Sequence, residues 1–225
     1  MFSRRTFLLA AASAPVLAQD KSVRPGINDN FKSPNVQEWI GRLETESREP
    51  FVRRNEIVAA TGIKPGDIVA DIGAGTGLFT ALFAARVGPQ GQVYAVDIAL
   101  SFLAHISETA KKQGITNITP VLGQQDSISL LANSIDAAYV CDTYHHFEFP
   151  QKTLASVHRA LKPNGRLVIV EFHKVAGVTT PDRMEHVRAA QDVVEKEVAA
   201  AGFRKVSQPA VAGLKENYVI IFQRT

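Results

Sequence analysis

Cysteine is nearly missing from this chain of 225 residues, which has one, Cys141, and a single tryptophan. One cysteine cannot close a disulfide within the chain, so the fold cannot depend on an oxidising compartment. No apolar run is long enough to cross a bilayer as a helix. The charges nearly balance, with 25 Lys and Arg against 22 Asp and Glu, and this small excess gives no reason to expect nucleic acid as a partner.

The first eighteen residues have the order of an export signal. Two adjacent arginines, Arg4 and Arg5, precede a short apolar, alanine-rich run that ends at Ala18. This order resembles a twin-arginine (Tat) signal, whose machinery moves folded proteins across the bacterial inner membrane. An ordinary Sec signal and an uncleaved amphipathic leader are the alternatives. We therefore expect residues 1–18 to be a signal peptide, the export machinery to be a transient partner, and the mature protein to be periplasmic or secreted.

The next segment, residues 19–60, is predicted to be an N-terminal arm followed by a helical cap. A polar arm leads to a stretch in which apolar residues share one helical face, at Val36, Trp39, Ile40 and Leu43. A second helix is predicted over residues 51–61, before Gly62. The main domain is then residues 61–225. Four side chains of the cap are expected to face a ligand: Trp39, Arg48, Phe51 and Arg53.

From Ile68 onward, apolar strands alternate with longer helical stretches. Strands are predicted over residues 68–72, 92–97, 118–122, 135–141, 165–171, 203–209 and 217–223. Helices are predicted over residues 77–87, 100–113, 128–132, 151–162 and 182–201. Such alternation predicts an α/β fold, a doubly wound sheet of seven mainly parallel strands with helices on both faces. The last two strands have no helix between them, so we expect an antiparallel C-terminal hairpin.

The most informative stretch is the one that follows the first strand. An apolar run passes through Asp71 into three glycines spaced two apart, Gly73, Gly75 and Gly77, which predicts a strand, a tight turn and a helix start. The spacing differs from the dinucleotide fingerprint Gly-x-Gly-x-x-Gly. A carboxylate beside the turn would repel a pyrophosphate and attract an ammonium group. The turn therefore favours a cofactor with an amino-acid tail over NAD.

Acidic residues also follow the next two strands. Asp97 ends the second strand, where its two oxygens can accept both hydroxyls of a ribose, and Asp126 follows the third, where it can accept from an exocyclic amine such as that of adenine. Strand ends of a parallel sheet share one edge, so these groups are expected near the glycine turn. Together they indicate a cofactor that contains a nucleoside.

Three further segments complete a set of motifs together with the glycine turn and the two acids. The set consists of Asp71-Ile72-Gly73-Ala74-Gly75-Thr76-Gly77, Asp97, Asp126, Ile135-Asp136, His145-His146-Phe147 and Leu161–Leu167. This set resembles the class I S-adenosylmethionine-dependent methyltransferases, over roughly residues 57–225. The resemblance is strongest to the small-molecule branch typified by quinone C-methyltransferases and arsenite methyltransferases. It implies a Rossmann-like fold and S-adenosyl-L-methionine as the cofactor, with S-adenosyl-L-homocysteine as the product. Arsenite enzymes use several cysteines, so the lone Cys141 argues against arsenic.

The resemblance also implies roles for individual residues. The backbone of Gly73, Ala74, Gly75 and Gly77 would hold the methionine part of the cofactor, and Asp71 would lie near its amino group. The nucleoside contacts would come from Asp97 to the ribose and from Ile98, Asp126 and Ser127 to the adenine. Backbone at Cys141, the end of the fourth strand, would close the site on the methyl side.

The residues after the fourth strand are the candidates for proton transfer. Asp142, His145 and His146 stand where a base could take a proton from a hydroxyl, an amine or an activated carbon. Asp142 could instead bond the adjacent backbone, and in the resembling family such a His-His pair commonly supports the site. A metal bound with Glu148 and His173 is disfavoured, because adjacent histidines point in different directions. We therefore expect no metal.

The leading hypothesis from the sequence is an exported S-adenosylmethionine-dependent methyltransferase that acts on a small molecule by in-line displacement. A binding or scaffold protein that kept the cofactor pocket and lost turnover is the second hypothesis. A nicotinamide-dependent oxidoreductase is the third, and the glycine spacing and Asp71 oppose it.

Overall fold

A computed structural model describes residues 19–225, and within them the chain forms one seven-stranded sheet. The strands are β1 (Ile68–Ile72), β2 (Gln92–Asp97), β3 (Ile118–Leu122), β4 (Ile135–Cys141), β5 (Leu161–Phe172), β6 (Phe203–Ser207) and β7 (Asn217–Arg224). Their order across the sheet is β3-β2-β1-β4-β5-β7-β6. The first five of these are parallel, and β7 is antiparallel to both β5 and β6. The predicted fold class is confirmed, including the antiparallel pair at the C-terminus.

The helices cover both faces of this sheet. They are α1 (Val36–Leu43), α2 (Glu49–Val52), α3 (Arg54–Ala60), α4 (Leu78–Val87), α5 (Leu100–Gln113), α6 (Pro150–Ala160), α7 (Pro181–His186) and α8 (Gln191–Ala200). Side chains of α3 and α4 pack on one face, and side chains of α6 and α8 pack on the other. A central strand is therefore buried on both faces, as in β5, where the consecutive residues Val168, Ile169 and Val170 are completely buried.

The sheet order sets the position of the site. From β1 the chain winds outward through β2 and β3, and then returns to place β4 on the other side of β1. The order of the strands reverses between β1 and β4. A crevice opens at such a reversal, beyond the carboxyl ends of the strands.

The helix predicted over residues 182–201 is in fact two helices, α7 and α8. The intervening residues 187–190 are extended, with Val187 and Ala189 buried in the core. Arg188 in the same segment lies 2.8 Å from the Glu197 carboxylate. Burial of these apolar side chains outweighs the helical pattern, and the break makes His186 the last residue of α7.

Two other helix predictions were also wrong. Residues 128–132 form no helix, because Ser129 has a φ of 55°, outside the right-handed helical region. The helix predicted over residues 51–61 is divided at Arg53, whose φ of −103° and ψ of 20° end α2 before α3 begins.

Within the described residues no helix is long and apolar enough to cross a membrane. The predicted signal peptide, residues 1–18, lies outside the part of the chain that the structure describes.

Candidate cofactor and acceptor site

A cavity of about 370 Å³ lies at the carboxyl ends of β1, β2 and β4. The glycine turn forms one wall, and the residues that follow β4 form the opposite wall. The N-terminal segment closes it from above. The aromatic side chains that line the cavity are Phe31, Trp39, Phe51, Phe79, Phe102, Phe147 and Phe172.

Glycine is required in the turn by both backbone and packing. Gly73 has a φ of +71°, and a Cβ added there would lie 2.3 Å from Cγ2 of Thr143. At Gly77, with a φ of +86°, a Cβ would lie 2.8 Å from Cγ1 of Ile106. Gly73, Ala74 and Gly75 line the cavity, whereas Gly77 packs against α5. The turn therefore presents bare backbone to a ligand.

Asp71 is the next-to-last residue of β1 and is buried beside this turn. Its Oδ2 accepts a 2.6 Å hydrogen bond from the Thr80 hydroxyl, at the start of α4. Burial raises the pKa of Asp71 from 3.8 to about 7, because the carboxylate loses its hydration. A cationic amino group against Asp71 would favour the carboxylate form again.

We expect cofactor affinity to depend on the ionisation of Asp71. Below pH 7 the carboxyl group is protonated in the free protein, so binding an ammonium group must displace that proton. The affinity for S-adenosylhomocysteine should then rise about tenfold per pH unit towards pH 7. It should fall again at more alkaline pH, where the α-amino group of the ligand loses its own proton.

Isothermal titration calorimetry across this pH range measures the effect, with Asp71→Asn as the comparison. The variant should bind more weakly at pH 7.5 and lose the rise on the acid side. If the affinity of Asp71→Asn still rose tenfold per pH unit towards pH 7, the titrating group would be one other than Asp71.

Asp97 is anchored by two backbone groups of the site. Its Oδ2 accepts from Gly75 N at 2.9 Å, and its Oδ1 accepts from Ala99 N at 2.8 Å. Burial raises its pKa, and these hydrogen bonds oppose the rise. Each carboxylate oxygen can still accept another hydrogen bond, so the fixed carboxylate can take the two hydroxyls of a ribose.

The predicted adenine contacts are divided between the cavity and the surface. Ile98 and Ser127 line the cavity, together with Gln124. Asp126 lies outside this lining, with a side chain that is 42% exposed and an oxygen 4.0 Å from Nζ of Lys152. The reason is a tight turn: Gln124 N donates to Ser127 O at 2.8 Å, which leaves Asp126 in the loop between them.

Asp142 is held on both of its oxygens. One oxygen is paired with the guanidinium of Arg48, and the other accepts from the Asn217 amide at 2.7 Å. Burial raises the pKa of Asp142 to about 6, and Arg48 opposes that rise. Its φ of 46° lies in the left-handed region, which is uncommon for residues other than glycine. Asp142 is therefore engaged in structure and is a poor candidate for a free base.

Cys141 precedes this carboxylate and lines the cavity. Burial and the nearby Asp142 raise the pKa of its thiol well above the ordinary value. The sulfur is therefore a neutral thiol at pH 7, and this disfavours a nucleophilic role.

The histidines after β4 form the far end of the cavity. His145 is buried, and its Nδ1 lies 2.9 and 2.8 Å from the two oxygens of Glu171. Because the carboxylate can only accept, Nδ1 carries a proton and Nε2 is the nitrogen left free of Glu171. His146 lies beside it, with a pKa lowered to about 2 by burial, so this imidazole is neutral.

Sequence reasoning missed Glu171 and His186. Glu171 is completely buried, and it also accepts from the backbone of Phe172 at 2.8 Å. The sequence did contain a signal for Glu171, because an acidic residue at the end of an apolar strand is expected to be buried and to need a partner. His186 lines the same cavity, and its Nε2 lies 3.3 Å from Nε2 of His146. It had no comparable signal, because it falls within the single helix predicted over residues 182–201.

The cap supplies three of the four side chains expected from it. Trp39, Arg48 and Phe51 line the cavity, and the Trp39 ring lies 4.7 Å from that of Phe31. Arg53 does not face a ligand, because its guanidinium turns towards Glu56, 3.4 Å away, on the protein surface.

These two arginines make a matched pair for a stability test. Arg48→Ala leaves the Asp142 carboxylate buried without its cation, so the free energy of unfolding should fall by about 1–3 kcal/mol. Arg53→Ala removes only an exposed ion pair and should cost less than about 1 kcal/mol. Urea unfolding of both variants measures the two free energies of unfolding. Equal decreases would show that the buried Arg48–Asp142 pair stabilises the fold no more than the exposed Arg53–Glu56 pair.

Comparison with known proteins identifies the central part of the chain. Residues 70–169 match the family model described as a methyltransferase domain. This match indicates S-adenosyl-L-methionine as the cofactor. The residues fit that molecule, because the bare backbone of the glycine turn and the carboxylates of Asp71 and Asp97 face one cavity.

Curated relatives that match this region include enzymes of ubiquinone and menaquinone biosynthesis. The chain is 30% identical over 123 residues to the ubiquinone/menaquinone biosynthesis C-methyltransferase UbiE of Hydrogenovibrio crunogenus, which is 54% of this chain and 48% of that protein. It is 34% identical over 119 residues to the UbiE protein of Cupriavidus taiwanensis, or 52% and 48% of the two chains. The match therefore spans about half the length of these relatives.

Solved structures show the same fold. A SAM-dependent methyltransferase from Aquifex aeolicus superposes with a TM-score of 0.75 at 24% identity, over 86% of this chain and all of that one. The [4+2]-cyclase SpnF superposes with a TM-score of 0.67 at 15% identity, over 80% and 84% of the two chains. The presence of a cyclase on this fold means that the reaction must be argued from the site.

Proposed function

We propose that this protein transfers a methyl group from S-adenosyl-L-methionine to a small-molecule acceptor. The observation that carries the proposal is one continuous cavity that joins the glycine turn and Asp97 to the histidines after β4. The cofactor would lie at the end formed by the glycine turn and Asp97, and the acceptor would lie at the end formed by the histidines. An in-line displacement needs both molecules aligned in one water-poor space.

The cavity walls favour a flat, apolar acceptor. Phe31, Trp39 and Phe51 come from the N-terminal segment, and Phe172 comes from the end of β5. Aromatic walls suit a ring that lies against them. The relatives are named as C-methyltransferases of ubiquinone and menaquinone biosynthesis, so a demethylated quinol is the first acceptor to test.

When bound, the cofactor supplies a methyl group activated on a sulfonium. Asp71 holds the amino-acid tail, Asp97 holds the ribose, and Phe31 and Trp39 keep water from the site. Both oxygens of Asp142 are occupied, so Asp142 does not take the proton of the acceptor. We assign that proton to the histidines that line the other end of the cavity.

Two measurements test the proposal. Calorimetric titration should give tight binding of S-adenosylhomocysteine and none of NAD. Methyl-labelled cofactor should then transfer its label to a quinol or to a small molecule in an extract of the cells of origin. Binding of NAD alone would favour an oxidoreductase. Cofactor binding with no transfer to any fraction would favour a binding protein that lost turnover.

A further inference from the structure

Three histidines meet at the acceptor end of the cavity. His145 and His146 belong to a 3-10 turn after β4, and His186 ends α7, forty residues beyond His146 in the chain. One ring nitrogen from each lies within 4.8 Å of the others. All three residues line the cavity.

We propose that these three histidines bind a divalent transition-metal cation, of which Zn²⁺ is the representative. In a tetrahedral site with metal–nitrogen distances of about 2.0–2.1 Å, two ligand nitrogens are about 3.3–3.4 Å apart. Nε2 of His146 and Nε2 of His186 are 3.3 Å apart. The third nitrogen reaches the same spacing with a shift of no more than about 1.5 Å.

A buried carboxylate supports the first of these ligands. Glu171 holds Nδ1 of His145, so the ring is fixed and Nε2 is the nitrogen left for a metal ion. Carboxylate–histidine–metal arrangements are a common feature of metal sites, because the carboxylate fixes the tautomer and makes the ligand more basic. Glu171 also places a negative group one ring away from the cation.

The second ligand has an unmet bonding need. Nδ1 of His146 is buried and has no hydrogen-bond partner among residues 19–225. A hydrogen bond between His146 and His186 satisfies Nε2 alone and leaves Nδ1 unpaired. A cation bound at Nδ1 would give this buried atom a partner, so either nitrogen of the ring is available as the ligand atom.

The ligand set indicates which cations fit. Three neutral imidazoles without a thiolate or carboxylate favour Zn²⁺, Cu²⁺, Ni²⁺ or Fe²⁺ over Mg²⁺ and Ca²⁺. Three protein ligands also leave a coordination position open, as in catalytic zinc sites. That position faces the cavity. If the proposed methyl transfer is correct, it would take a hydroxyl or enol oxygen of the acceptor.

The test is metal binding by the full chain after treatment with a chelator, without cofactor or acceptor. Calorimetry with ZnCl₂ should give one site, and Co²⁺ should give the visible absorption of a tetrahedral complex. His186→Gln should weaken Zn²⁺ binding by more than about 100-fold, and Glu171→Gln by about 10- to 100-fold. His186 is exposed, so its variant should fold normally, as thermal unfolding can verify.

His173→Gln is the matched control, because this ring packs on Tyr218 outside the cluster, with 5.1 Å between ring centroids. It should bind Zn²⁺ as the parent does. Equal weakening by His173→Gln, or unchanged binding by His186→Gln, would overturn the site. Because no cofactor is present, these results are independent of methyl transfer: Zn²⁺ binding without any transfer would refute only the proposed function.

Discussion

Asp97→Ala should weaken S-adenosylhomocysteine binding by roughly 100-fold or more. The carboxylate lines the cavity and is assigned to both ribose hydroxyls, and a hydrogen bond to a charged group contributes about 1.5–3 kcal/mol. Its loss also releases Gly75 N and Ala99 N, which Asp97 now holds at 2.9 and 2.8 Å. Calorimetric titration measures the change.

Two further variants sharpen this test. Asp97→Asn keeps one acceptor oxygen, so its affinity should fall between those of the parent and Asp97→Ala. Asp126→Asn should change affinity by less than about twofold, because that side chain lies outside the cavity lining and points to Lys152. Equal losses for Asp97→Ala and Asp126→Asn would contradict the position of the nucleoside inferred from this cavity.

Replacement of Glu171 should produce the largest loss of stability. The buried carboxylate accepts from Nδ1 and the backbone N of His145 and from the backbone N of Phe172. Glu171→Ala leaves all three donors without a partner and should lower the free energy of unfolding by about 3–5 kcal/mol. Glu171→Gln retains one acceptor oxygen and should cost about 1–3 kcal/mol. Urea unfolding gives both values.

Glu108→Gln is the control for this series. Glu108 forms an exposed pair with Lys112 one helical turn away, so its replacement should leave the free energy of unfolding nearly unchanged. If Glu171→Ala were no more destabilising than Glu108→Gln, the hydrogen bonds of Glu171 to His145 and Phe172 would not contribute to the stability of the fold.

The cofactor side of the site could be predicted from the sequence because it is built from local signals. Asp71, the three glycines and Asp97 each stand at the end of an apolar run, and the ends of parallel strands share one edge. Asp126 obeyed the same pattern and still fell outside the cavity. The orientation of a loop residue depends on the turn around it, which strand periodicity does not encode.

The acceptor side depended on long-range packing. Arg48 meets Asp142 across 94 positions, and Glu171 meets His145 across 26. His186 reaches the cavity only because Val187 and Ala189 leave the helical path to enter the core. A helical pattern over residues 182–201 conceals that break, since the burial that causes it belongs to the assembled core.

The sheet, the glycine turn and the class of cofactor follow from the sequence, because strand alternation and a turn without side chains depend on neighbouring residues. The engagement of Asp142 by Arg48 and Asn217, and the meeting of His145, His146 and His186, arise only in the folded chain. Those outcomes follow from contacts between distant segments, whose free energies depend on burial that no local pattern specifies.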